Sequence, residues 1–90
     1  MAVFKKDPNA VLDYTFDWSA WLLPMADAIS SVVWVTSTGL TKVSSSNTSS
    51  TATAFVSGGV VGNTESLTCR ITSAGGRTDD RTISLKIVDR

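Results

Sequence analysis

Between Leu67 and Val88 the chain alternates apolar and polar residues with period two on both sides of a glycine turn. That pattern confines it to antiparallel β structure. Leu67, Cys69 and Ile71 alternate with Thr68, Arg70 and Thr72; after Ala74-Gly75-Gly76 the pattern resumes with Ile83, Leu85 and Ile87 against Thr82, Ser84 and Lys86. Successive side chains of a strand point to opposite faces, so each run has one face to bury and one to wet, and the glycine pair joins them as a hairpin.

The same reading extends upstream. Residues 1–9 read as an N-terminal arm and residues 10–90 as a single β-sandwich domain. A first strand is predicted around Val11 to Phe16, with Leu12, Tyr14 and Phe16 on one face and Asp13, Thr15 and Asp17 on the other. Asp17-Trp18-Ser19-Ala20-Trp21-Leu22 breaks the alternation, and Pro24 stops any ladder. A short helical turn therefore crosses between sheets there, with Trp18 and Trp21 plugging the end of the core. A second strand spans about Ile29 to Thr36; with Val32 and Trp34 on one face and Val33 and Val35 on the other, it is expected to be covered on both sides, at a central position or an interface.

Leu40 to Val43 gives a short strand and a polar, Ser-rich loop follows through Ser50. In the next strand Ala52, Ala54 and Val56 point inward, which leaves Phe55 outward. Gly58-Gly59 and Gly62-Asn63 punctuate the link to the closing hairpin. About seven short strands at this spacing imply an all-β, immunoglobulin-like sandwich, with a small barrel as the alternative.

Composition removes several function classes. Lys and Arg number 8 and Asp and Glu 8, so net charge is zero and nothing electrostatic favours nucleic acid or an anionic membrane. There is no His, and the single Cys69 sits in phase with the buried face, which leaves no internal disulfide, no Cys-rich zinc site and no His base. Neither a cofactor nor a metal is expected. The N-terminus lacks the apolar run of a secretory signal, and the longest apolar stretch, Trp21 to Ala26, contains Pro24 and is far shorter than the roughly 20 residues of a membrane helix.

Clusters that suggest chemistry have plainer readings. Asp13, Asp17, Asp27 and Glu65 lack the loop spacing of a calcium motif; the first two fit the wetted face of a strand, and Asp27 fits a turn cap. Arg77-Thr78-Asp79-Asp80-Arg81 reads as a surface loop with local ion pairs. Without His, nucleophilic catalysis has no ready base, and a sandwich of this size seldom holds a deep cleft, so no catalytic residue is assigned and no enzymatic activity is expected.

Three segments carry a family likeness: Asp7-Pro8-Asn9-Ala10-Val11-Leu12-Asp13-Tyr14, Asp17-Trp18-Ser19-Ala20-Trp21-Leu22, and Arg70-Ile71-Thr72 with Gly75-Gly76-Arg77-Thr78-Asp79-Asp80-Arg81. From about Asp7 to its end the chain resembles small immunoglobulin-like virion proteins of tailed bacteriophages described as fiber-tail adaptor proteins. It departs from them at Leu23-Pro24-Met25-Ala26, where a glycine- or aspartate-containing turn is expected.

The resemblance implies a structural subunit of the virion, made in the bacterial cytoplasm without a signal peptide. It would join neck, tail or fiber subunits in several copies and bring no catalytic residues. Val3 and Phe4 of the arm, the outward Phe55, and Arg77, Asp79, Asp80 and Arg81 are the candidate contact residues. Two other roles suit the same composition: a capsid decoration protein on the head, and a glycan- or receptor-binding module. The last would need Tyr14, Trp18, Trp21 and Trp34 to form an exposed aromatic platform.

Overall fold

The computed structural model describes residues 3–88, with the side chain of Val3 outside the description. Seven strands form two sheets: β1 (Val3–Lys6), β2 (Leu12–Asp17), β3 (Ile29–Thr36), β4 (Leu40–Asn47), β5 (Thr51–Gly58), β6 (Thr64–Ser73) and β7 (Thr78–Ile87). One sheet runs β1-β7-β6-β3 and the other β2-β5-β4, and every pairing is antiparallel except β1 on β7. The chain changes layer at each step from β1 to β4 and again from β5 to β6, while β4–β5 and β6–β7 are hairpins within one sheet; this is the layout of an immunoglobulin-like sandwich whose first strand has joined the sheet of the last.

The closing hairpin is as the alternation predicts. Leu67 faces Ile83 across the β6–β7 ladder, and Leu67, Cys69, Ile71, Ile83, Leu85 and Ile87 are all buried. Ala52, Ala54 and Val56 of β5 and Phe16 of β2 supply the opposite layer of the core. Two aromatic pairs bridge the sheets: Phe16 with Trp34 at 5.6 Å between ring centroids, and Phe4 with Tyr14 at 5.3 Å. Such pairs contribute roughly 0.5–1.5 kcal/mol beyond their buried area. On the outer faces, threonine hydroxyls pair across strands, Thr15 with Thr53, Thr68 with Thr82 and Thr72 with Thr78, which is how a chain rich in Thr uses its wetted positions.

The helical turn falls where expected, as α1 (Ser19–Leu22) followed by a 3₁₀ turn over Leu23–Met25. The Asp17 carboxylate accepts the Ser19 N–H at 2.9 Å, Pro24 fits the 3₁₀ turn's opening positions, and Leu22 is buried. The turn exits through Ala26 at φ 49°, a left-handed conformation that glycine adopts more readily. Ala26 thus does the work of the glycine-containing turn expected at this point.

Four expectations are corrected. The predicted arm is not free: Val3–Lys6 pair with Ser84–Ile87 of β7, because a strand that continues the sheet satisfies its backbone there. Phe4 accordingly has an apolar partner, Tyr14. β3 is an edge strand, not a central one, and Val33 and Val35 stand exposed on the outer face of its sheet, opposite the core-facing Val32 and Trp34. β4 continues to Asn47, and the loop shrinks to Thr48–Ser50. Residues 78–81 are already strand, part of β7, so the polar run after Gly76 is a loop only at its start.

Candidate interaction surfaces

The two ends of the sandwich are closed by different chemistry. At the α1 end, Trp18 is fully buried, its backbone N–H donates to the Ser50 carbonyl at 2.8 Å, and Trp21 packs edge-on against its ring at 5.7 Å. The Arg81 guanidinium lies 4.2 Å above the Trp18 ring, and its Nη1 donates to the Asp17 carbonyl at 2.8 Å. Beside it, the Asp27 carboxylate accepts from the N–H groups of Ala28 (2.9 Å) and Gly75 (3.1 Å) and from Arg77 Nη1 (3.4 Å). Asp27 therefore caps a turn, as expected, and also ties the β2–β3 connection to the β6–β7 turn. Hydrogen bonding from Ser73, then from Ala28 and Gly75, with Arg77 alongside, holds its carboxyl below the ordinary carboxylate range.

At the opposite end, Lys6 is buried and its Nζ donates to the carbonyls of Asp7 (3.0 Å) and Gly58 (2.8 Å), bridging the two sheets. Burial lowers the Lys6 ammonium from its ordinary value, with Asp7 opposing. Glu65 is buried too, its Oε1 accepting the Ser37 hydroxyl at 2.6 Å while Ser37 Oγ accepts the Ser66 N–H at 3.0 Å. A Cβ on Gly39 would collide with that carboxylate, so glycine lets the β3–β4 turn close over it.

The contact residues expected from the sequence lie on several surfaces. Phe4 stands half exposed at the seam between β1 and β2. Phe55 is exposed on the outer face of the three-stranded sheet, opposite Asp13 and Ser44. Arg77 is engaged within the chain by Asp27, and Arg81 by the Trp18 ring and the Asp17 carbonyl, so the ion pair at Arg77 is long-range and not local. Asp80 pairs with Arg70 at 3.1 Å across the ladder, with both side chains about half exposed, and Asp79 accepts the N–H of Asp80. The Val3 side chain lies outside the described residues.

Three features escaped the sequence reading. Lys6 is in period-two phase with Phe4, and Glu65 with Leu67 and Cys69, so the alternation itself pointed to their burial. The open outer side of β3 left no such mark, since two-sided apolarity reads the same for a covered strand and an exposed edge.

The four aromatics of the supposed sugar platform turn into the fold: Trp18 is buried, and Tyr14, Trp21 and Trp34 are half-buried against Phe4, Trp18 and Phe16. Burial raises the Cys69 thiol from its ordinary value, the neighbouring Trp18 and Arg81 opposing. Among the described residues, no group of three or more His, Cys, Asp or Glu side chains could hold a metal ion, and no helix is long and apolar enough to cross a membrane.

A family model described as podophage GP4 fiber-tail adaptor protein gp77 matches residues 6–86, from the buried Lys6 through nearly the end of β7. The chain belongs to this family. Its members are by description structural adaptors of a phage, and the match takes in β2 to β6 entire and every buried core residue except Ile87. No curated protein matches the chain.

Proposed function

We propose that the chain is a non-enzymatic structural subunit of a tailed-phage virion that joins fibers to the tail. The observation that carries this reading is the family match over residues 6–86. The fold supports it by the way its polar groups are used. Lys6, Asp27, Glu65, Arg77 and Arg81, which would be the raw material of a catalytic or ligand site, are bound to carbonyls, N–H groups, a hydroxyl, an aromatic ring or each other. The partners are other virion proteins of the neck, tail or fibers, met by several copies of this chain and without nucleic acid or membrane. Phe4, Phe55, Asp79 and Asp80 are the contact residues on this reading, joined by Val3.

Counting the chain in purified virions by mass spectrometry and locating it by antibody labelling in the electron microscope tests the reading. Low copy number with label at the neck or tail is the expected result. A dense signal over the head would assign the chain to capsid decoration, and absence from virions would overturn both roles.

A further inference from the structure

The sandwich has four sheet edges, and three carry features that discourage pairing with another strand. β1 is only four residues long and includes Lys5 and Lys6; β2 carries Asp13 and Asp17; β4 carries Lys42 and is bulged between Lys42 and Ser44. Charge, brevity and bulges are the usual protections of an edge. β3 has none of the three over Val32–Thr36: it is eight residues long, holds no charged residue or proline, and its one irregularity lies at Ile29/Ser31.

The free groups of this edge can be assigned. Ser37 N–H donates to the Ser66 carbonyl at 3.1 Å, so by the alternation of an antiparallel ladder the backbone groups of Val33 and Val35 also face β6. Those of Val32, Trp34 and Thr36 therefore face away from the sheet. At the start of the strand, Ile29 N–H is taken by the Ser49 carbonyl at 2.9 Å, so the open run begins beyond it. Along the same edge, Val33 and Val35 present their side chains outward, 53% and 44% exposed.

We propose that β3 pairs antiparallel with β3 of a second copy about a two-fold axis through Trp34, joining two four-stranded sheets into one of eight. Outward-facing backbone groups must meet outward-facing groups, which allows pairing centred on Val33 or on Trp34. Centring on Val33 leaves each Val35 opposite Ser31. Centring on Trp34 sets Val33 against Val35 twice, in the closely spaced non-hydrogen-bonded positions, and so covers all four valines.

A second copy is the occupant that the self-complementary register favours. An uncharged strand on a chain of zero net charge meets no like charge when paired with itself, and a two-fold contact needs the self-complementarity that this register provides. Eight residues a side fall short of the roughly 20–30 of a standard interface, so the dimer forms at high concentration, as among copies held together on a particle. The pairing deepens the multi-copy reading of the function but stands on the edge alone.

Sedimentation velocity on the whole chain from micromolar to millimolar concentration tests it. The wild type shifts to twice the monomer mass, and Val33→Lys/Val35→Lys, which sets lysine against lysine at solvent-exposed positions, remains monomeric and still unfolds cooperatively, at a somewhat lower temperature because residue 33 lies opposite Arg70 on β6. An equimolar mixture of that variant with Val33→Glu/Val35→Glu regains the dimer. A wild type that stays monomeric to millimolar concentration, or a lysine variant that dimerises as readily, overturns the proposal. Oxidised mixtures of Val33→Cys and Val35→Cys chains cross-link faster than either alone; faster self-linking of Val33→Cys would overturn the register. Failure here leaves the virion labelling result untouched, and failure of that labelling leaves the dimer untouched.

Discussion

The two ends of the sandwich solve one problem by opposite means. At the α1 end the gap between the sheets is filled: Trp18 and Trp21 supply bulk, and Arg81 covers the ring from outside. At the other end the backbone is drawn together: Gly39 lies against Glu65, Gly59 lies against Ile87 and donates to the Gly39 carbonyl, and Lys6 holds the carbonyls of Asp7 and Gly58. One closure depends on large side chains and the other on missing ones. Sensitivity to mutation should invert between them, with truncation damaging the first end and addition damaging the second.

The largest effect tests the filled end. Trp18→Ala should lose about 3–5 kcal/mol in urea or thermal unfolding, the range for deleting a buried aromatic. Trp18→Phe should lose less than half of that, because it keeps a ring under Arg81 and discards an indole N–H that has no partner among the described residues. A loss below about 1 kcal/mol for the alanine variant, well under the usual cost of such a cavity, would break the contrast.

At the drawn-in end, Gly59→Ala should cost about 2–3 kcal/mol by the same measurement, although it adds a single methyl. The new Cβ would fall 2.5 Å from Ile87 Cδ1, and the backbone there has φ +106°, which an L-residue side chain rarely adopts. Near-neutral behaviour would mean that this end is slack and that the glycines are not what closes it.

The smallest effect concerns pH and sharpens the picture at the α1 end. The Asp27 carboxyl is held below the value of about 3.9 expected in an unfolded chain, so its contribution is complete above that pH and is lost as pH falls through it toward the folded value. Asp17 adds to the same window, its carboxyl lowered by hydrogen bonding from Ser19 with Arg81 nearby. The wild-type melting temperature should therefore drop on acidification below about pH 4, and Asp27→Asn should flatten that drop in part. An unchanged acid slope in the variant would show that the link between Asp27 and the β6–β7 turn adds nothing.

Legibility in the sequence followed how strictly each segment alternates. The β6–β7 hairpin was readable residue by residue because each strand buries one face and wets the other. β2 and β5 were readable for the same reason, and so was the turn that begins at Trp18, since proline and broken alternation leave few choices. β3 was misplaced because Val32 to Val35 are all apolar, a composition equally suited to a covered central strand. β4 was cut short because its residues from Thr41 to Asn47 are exposed on both faces, so no alternation marks its length. The N-terminal arm became β1 through a parallel pairing with the far end of the chain, which no local pattern announces.

The expected contact surface fared unevenly for a related reason. Exposure of Phe55 follows directly from the inward phase of Ala54 and Val56. The destinations of Arg77 and Arg81 do not, because Asp27 and Trp18 lie some fifty to sixty residues away and only the closed sandwich brings them near.

Cys69 has a wider consequence. It lies on β6, and β2, the strand that faces it across an antibody-type sandwich, has no cysteine to meet it, so the layers are joined by packing and aromatic contact without a covalent staple. Nothing in the fold has to be oxidised before it is complete. A subunit of this kind can reach its final form in the reducing interior of a cell and keep it after release into an oxidising medium, with no chemical step to mark the passage.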